Sequence, residues 1–359
     1  MRAELERGLV ARIAVIATAL IVLMFPGNVQ AQGKWVKMAP FPEPAFEIAG
    51  ATVNGKIYVF GGLPAGGNET PVGLVYEYDG AANRWTKKKP MPLPAHHTTA
   101  VEYHGKVYLF GGGIQKEPGG PNWFPSNNAW EYDPAADSWK ALAPMPTKRG
   151  SAVAAEVGGK IYVIGGAGTH PGAQEASLGP NMPHRSLSAN EAYDPATNTW
   201  QTRMPMPTAR NHAAIGAVNG KIYVIGGRVA SPFIGANASN TDVVEEYDPA
   251  IDSWTTPRAR MLGPRSGGGF GTYGGRIYVV GGEFQNAAMA GVFRDLEAYD
   301  PAANQWITLP SIPLARQGVA CAVLGNRLHV ISGHMQSGGI GPGASANYDA
   351  HDAFEITEK

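Results

Sequence analysis

One nine-residue phrase limits what this chain can become: Asn219-Gly220-Lys221-Ile222-Tyr223-Val224-Ile225-Gly226-Gly227. A tight turn leads into an apolar, β-branched and aromatic run, and a glycine pair stops it. Near-copies stand at 55–62, 105–112, 159–166 and 275–282, with a worn sixth at 325–333. The first glycines of the five good pairs (Gly61, Gly111, Gly165, Gly226 and Gly281) fall 50, 54, 61 and 55 residues apart. Self-similarity at a period near 50 points to the blades of a β-propeller.

Residues 208–254 spell out one blade. His212 to Val218 is a run of small apolar residues, fit for a crowded strand near an axis. Asn219-Gly220 is a two-residue hairpin signal, both residues tolerating positive φ. Lys221 to Gly227 is apolar almost throughout, as a strand covered on both faces must be. After a loop at 228–242 comes Val243-Val244-Glu245-Glu246-Tyr247, and Asp248-Pro249 opens a type I turn. Ser253-Trp254-Thr255 begins a fourth strand, so the unit is a four-stranded antiparallel meander. Trp85, Trp139, Trp200, Trp254 and Trp306 recur at this fourth-strand position. Their fixed register with the Tyr-Asp turns assigns them to packing between sheets.

Composition decides class and compartment. The chain has 47 glycines and 29 prolines in 359 residues, as a turn-rich all-β protein should. Its 29 basic and 29 acidic residues leave no sequence-wide positive field to attract nucleic acid. Residues 1–31 are different material. Arg2, Arg7 and Arg12 precede an uncharged run from Ile13 to Phe25, apolar but for Thr18, then a Pro-Gly break and Val29-Gln30-Ala31. A run of thirteen residues, twelve of them apolar, is too short to span a bilayer, and the pattern reads as a signal peptide cleaved after Ala31. That predicts a secreted or periplasmic protein with no membrane span after cleavage and a propeller over 32–359. Cys321 is the one cysteine, so no disulfide within the chain is available. It lies in an apolar strand and reads as a small buried hydrophobe.

A glycine pair after an apolar strand, then Tyr-Asp-Pro, then Trp six residues past the Asp, resembles the Kelch repeat. The elements stand at Gly112, Tyr132-Asp133-Pro134 and Trp139, and recur at 166, 193 and 200, at 227, 247 and 254, and at 282, 299 and 306. Blade one departs with Gly80 for the Pro. The resemblance covers about 34–359 and implies an all-β, six-bladed Kelch-type propeller. Trp35 precedes Phe41-Pro42 as Trp200 precedes Met206-Pro207, so it begins a fourth strand without a blade of its own. The expectation is that the N-terminal strand closes the last blade, beside 352–356. The alternative makes Tyr348-Asp349 the last blade's own turn.

Strand parity locates the working face. The connections between second and third strands, and between blades, emerge together. They include every long loop: 63–73, 113–127, 167–190, 228–242, 283–294 and 334–351. Long loops on a rigid scaffold are where binding sits. Four inter-blade connections place Arg149, Arg210, Arg265 and Arg316 at one register, where blades one and two have Ala45 and Ala95, followed by Phe46-Glu47 and His96-His97. Arg suits bidentate capture of a carboxylate or phosphate, so a basic arc is expected at the mouth. Arg here is also part of the usual Kelch pattern, so a tie between neighbouring blades stays open. Arg228, Glu283 and His334, just after glycine pairs, would extend the ring of ligand-binding candidates, as would His96. Trp123 would stack on a sugar or anchor a partner, or pack on a neighbouring loop.

No phosphate-cradling Gly-Lys-Ser/Thr loop and no Gly-x-Ser-x-Gly elbow occurs. Glu47, His97 and His212 share one register near the axis, but residues from blades one, two and four need not converge, and no metal or cofactor is assigned. The likeness to galactose oxidase fails because that enzyme needs a Tyr cross-linked to Cys, and Cys321 sits in a strand. Asn68-Glu69-Thr70 and Asn237-Ala238-Ser239 are glycosylation sequons. The leading expectation is a module that binds a protein or saccharide partner, an anionic saccharide or an acidic segment, without catalysis. The rival is a carbohydrate-active enzyme. Exported six-bladed Kelch proteins include sialic acid epimerases (mutarotases), and that resemblance implies Glu47 or His97 as the proton shuttle.

Overall fold

The computed structural model describes residues 33–64, 70–121, 123–169, 178, 185–229, 239–255, 258–285, 290–337 and 349–357. Residues 1–31, both sequon asparagines, and His170 and His184 of the longest loop lie outside them.

Six four-stranded antiparallel sheets stand among the described residues, each a meander. Blade one is Ala49–Val53, Lys56–Phe60, Val75–Asp79 and Arg84–Lys87. The next four repeat it: blade two from Thr99 to Ala141, three from Val153 to Thr202, four from Ala214 to Thr255 and five from Gly269 to Leu309. Blade six is Ala320–Leu324, Arg327–Ile331 and His351–Glu355, completed by Lys34–Lys37 from the other end of the chain. Trp35 pairs with Phe354, with ring centroids 5.3 Å apart. The clasp is therefore present, and the reading of residues 348–349 as a separate turn falls. The first strands of the blades neighbour one another in cyclic order, blade six touching blade one.

Each second strand is buried on both faces, as its unbroken apolar run requires: Ile57, Val59 and Phe60 are inaccessible to solvent, and so are Ile161, Val163 and Ile164. The turn aspartates cap their turns, Asp79 Oδ1 accepting from the Ala81 and Ala82 amides at 3.0 Å. A repeated grip then joins each of blades one to five to the linker before it. The Tyr78, Tyr132, Tyr193, Tyr247 and Tyr299 hydroxyls each donate to an Asn or Asp five residues on, at 2.5–2.8 Å. That acceptor also takes a linker amide: Ala39 to Asn83, Lys89 to Asp137, Ala143 to Asn198, Met204 to Asp252 and Ala259 to Asn304. The Trp indole donates back to the same linker carbonyl, as from Trp200 to Ala143 at 2.8 Å. The recurring tryptophans are thus half-buried and spent on packing and on this bond.

Candidate functional site at the hub

The residue two positions after each Arg or Ala register point carries the centre of the molecule. These six are Glu47, His97, Ser151, His212, Gly267 and Gly318, and all six have φ between 52° and 65°. Glycine takes that left-handed backbone readily; the four side-chain-bearing residues take it at a cost. Each amide donates to the carbonyl of its counterpart in the preceding blade. Glu47 donates to Gly318 (2.7 Å), His97 to Glu47 (3.0 Å), Ser151 to His97 (2.9 Å), His212 to Ser151 (3.0 Å), Gly267 to His212 (3.0 Å) and Gly318 to Gly267 (2.9 Å). Six backbone hydrogen bonds close a ring around the axis.

The side chains of this ring meet. Glu47 Oε2 lies 3.0 Å from His97 Nε2, and Ser151 Oγ lies 3.3 Å from His212 Nε2. The His97 and His212 rings are 4.9 Å apart at an interplanar angle of 83°. A donor atom from each of Glu47, His97 and His212 lies within 4.8 Å of the other two. Three residues from blades one, two and four do converge, contrary to the sequence expectation, because the hydrogen-bonded ring brings its members to one axis. They line an axial cavity of about 120 Å³, with Ser151, Gly267 and Gly318 at the same level. A wider mouth of about 400 Å³ opens further along the channel, among Thr52, Glu102, Glu156 and Thr272. Burial first, and the charge of Glu283 second, push the Glu47 carboxyl up to about 8, against a smaller opposing pull from Arg228.

A second layer holds the imidazoles. His96 is inaccessible to solvent, its Nδ1 against that of His97, and its backbone bridges to Gly113 beyond the glycine pair. The Trp123 indole packs at 4.6 Å from the His96 ring and 4.7 Å from that of His97. So the loop aromatic folds down onto the hub. Arg228 forms an ion pair with Glu283 beside it. His334 is buried 5.0 Å from the Phe46 ring, with Nδ1 at the Gln336 carbonyl. Cys321 lines the cavity, and burial pushes its thiol up to about 12. Cys321 is thus half-buried on the cavity wall, where the sequence implied a fully buried residue.

The four arginines do something else. Arg149 pairs with Glu191 at 2.9 Å, Arg210 with Glu245 at 2.5 Å, Arg265 with Glu297 at 2.8 Å and Arg316 with Asp352 at 2.7 Å. Each also donates to a second-strand carbonyl fourteen residues on: Val163, Val224, Val279 or Val330. Every one is at most 3% exposed. A guanidinium so enclosed cannot meet a ligand, so the expected basic arc is replaced by four internal ties, each within the blade that its arginine enters.

Residues 57–338 match the model of the Attractin/LZTR1 β-propeller family. The chain belongs to that family. Among its relatives is the Kelch-like protein terF of Aspergillus terreus, 30% identical over 85% of this chain and 53% of that one. Another is the β-scruin of Limulus polyphemus, 28% identical over 58% of this chain and 22% of that one. The chain thus spans about half, or less, of these relatives' length. The solved structure of YjhT superposes with a TM-score of 0.68 at 20% identity, covering 84% of this chain and 94% of that one. At that identity the likeness speaks for the six-bladed fold. Within this Attractin/LZTR1-type propeller, sequence reasoning missed Ser151, and Asn211, whose Oδ1 meets His212 Nδ1. The signal for Ser151 was in plain sight: Gly267 and Gly318 mark the hub register as a left-handed position, and Ser151 occupies it in blade three.

Proposed function

We propose that this chain is an exported binding module that takes its ligand on the long-loop face, over the hub. The carrying observation is the meeting of Glu47, His97 and His212 on the axis beneath Trp123. The ligand class that suits it is a carboxylate-bearing one, an anionic saccharide or an acidic protein segment. Recognition then comes from a carboxyl held protonated near neutrality, with Trp123 as an apolar wall. The relatives with Kelch-like names support a protein-binding role. Residues 1–31 support export to the periplasm or the medium. No helix among the described residues is long and apolar enough to cross a membrane. Arrays of acidic glycans and of Asp/Glu-rich peptides test the reading, followed by titration of any binder. Trp123→Ala and Glu47→Gln should each weaken binding at least about tenfold, the loss of one good contact. Affinity unchanged in both would reject the site.

A second reading, epimerisation of a carboxylate sugar, rests on the 3.0 Å contact of Glu47 with His97 and the raised Glu47 carboxyl. Such a group is poised for proton transfer near neutral pH. NMR of sialic acid anomers tests it: interconversion no faster than in buffer dismisses it.

A further inference from the structure

We propose that Glu47, His97 and His212 form a binding site for one divalent transition-metal ion of the zinc class, with a coordination position open to the axial cavity. The site uses the same hub residues as the proposed binding function, and a bound ion would take the place of the proton on Glu47. Two imidazoles and a carboxylate are a donor set that suits zinc, nickel or copper rather than calcium or magnesium, which want oxygen alone. A tetrahedral ion with bonds of about 2.0–2.2 Å spaces its ligand atoms by roughly 3.3 Å. Glu47 Oε2 and His97 Nε2 are already 3.0 Å apart, and all three donors lie within 4.8 Å. Closing on an ion takes side-chain shifts on the order of 1 Å.

A second observation fixes the tautomer of His212. The Ser186 hydroxyl donates to the Arg228 carbonyl at 3.1 Å, and its oxygen accepts from Asn211 Nδ2 at 3.0 Å. The amide is thereby oriented with Oδ1 toward His212 Nδ1, at 2.5 Å. An acceptor there means that Nδ1 carries the proton and Nε2 presents its lone pair to the cluster. This is the arrangement by which outer partners prepare a metal-ligating histidine. His97 likewise turns Nε2 toward the cluster, at Glu47, with Nδ1 against His96. The backbone agrees. Glu47, His97 and His212 hold φ of 55°, 55° and 52° where blades five and six use glycine. Strain kept at three positions that aim donors at one point indicates a use for those donors. The cavity beside them has room for a water, or for one oxygen of a ligand, as a further donor.

The test uses the whole chain stripped of metal by chelator. Titration calorimetry with Zn²⁺ should show one equivalent bound with Kd below about 1 μM, at least about tenfold weaker in His97→Gln and in His212→Gln. The exposed His104→Gln serves as the control and should leave affinity unchanged. A reading on the unaltered chain guards against variants that fail to fold. With ¹⁵N-labelled histidine, Zn²⁺ should shift the Nε2 resonances of two imidazoles and leave Nδ1 of His212 protonated. Co²⁺ should give the strong visible absorption of a four- or five-coordinate ion. No Zn²⁺ uptake, uptake that survives both His→Gln substitutions, or shifts at other histidines would each overturn the site.

Discussion

Blades one and two solve a packing problem differently from blades three to six. In the latter, an arginine at the blade's entrance meets an acid on the third strand, both buried: Arg149–Glu191, Arg210–Glu245, Arg265–Glu297 and Arg316–Asp352. In the first two blades the entrance residue is Ala45 or Ala95, and the third-strand position holds Tyr76 or Trp130. The exchange is concerted. Where the guanidinium is absent, so is its carboxylate, and an aromatic ring takes the volume. A buried ion pair and an apolar pair of similar size can be close in net energy, whereas half of an ion pair cannot be tolerated. The lesson is that this register is structural in all six blades. The proposed site lies two residues along, on the ring where the same two blades supply Glu47 and His97 and blade four supplies His212.

The largest effect should come from the seam between blades six and one. Blade six is the one sheet here built from both ends of the described chain. Deleting 32–39 removes the Trp35–Phe354 contact, the Trp35 indole bond to the Pro310 carbonyl at 2.7 Å, and a whole strand ladder. The expected loss is at least about 5 kcal/mol, more than a single large core truncation. Urea unfolding with an unchanged midpoint would show that the clasp is dispensable. The next largest separates the two blade types directly. Arg149→Ala leaves Glu191 buried without its partner and should cost about 3–5 kcal/mol. Arg149→Ala combined with Glu191→Trp copies blade two and should recover most of that. If the double substitution is no better than the single one, the two solutions are not interchangeable.

Blade six also differs from the others in acid. At the second-strand position where the other blades have Tyr58, Tyr108, Tyr162, Tyr223 and Tyr278, it has His329, hydrogen-bonded at 2.8 Å to His351. Burial pulls His329 down to about 4, with a further push from Arg327. Burial again, then His329, pulls His351 down to about 3. Both imidazoles are neutral in the folded chain, while the unfolded chain protonates them near 6.5. The unfolded state therefore binds more protons between roughly pH 3 and 6.5, and stability falls as pH drops through that window. Melting temperature followed from pH 7 to pH 4 should decline. The decline should flatten in His329→Tyr combined with His351→Val, which copies the tyrosine of the other blades and the Val75 and Val244 of blades one and four. An equally steep decline in that variant would move the acid sensitivity elsewhere.

The blades and the clasp were legible because each rests on local chemistry: a hairpin signal, a glycine pair, a Tyr-Asp turn, a stray Trp35. The hub was half legible. The shared register of Glu47, His97 and His212 could be counted, but their convergence depends on a six-fold backbone ring that no local pattern announces. The arginines were misread as a ligand arc for a related reason. Position along the chain placed them near the axis, whereas direction depends on the third-strand acids, which a repeat-by-repeat comparison with Ala45, Ala95, Tyr76 and Trp130 would have exposed. Trp123 was seen as a loop aromatic, and its fold-back onto His97 is a tertiary event.

The smallest predicted effect tests the hub against its own glycines. Ser151 holds φ of 53° and contributes one 3.3 Å hydroxyl contact to His212, so Ser151→Gly should relieve strain and shift stability by no more than about 1 kcal/mol, upward. Gly318→Ala runs the other way. A methyl there would stand 2.9 Å from the Glu47 amide nitrogen and 3.1 Å from its carboxylate, and the φ of 62° would strain it as well. It should destabilise by about 1–3 kcal/mol, the range of one strained backbone position. It should also push Glu47 off the axis. If Ser151→Gly proves costly while Gly318→Ala is silent, the ring is not what sets the backbone at the centre of this wheel.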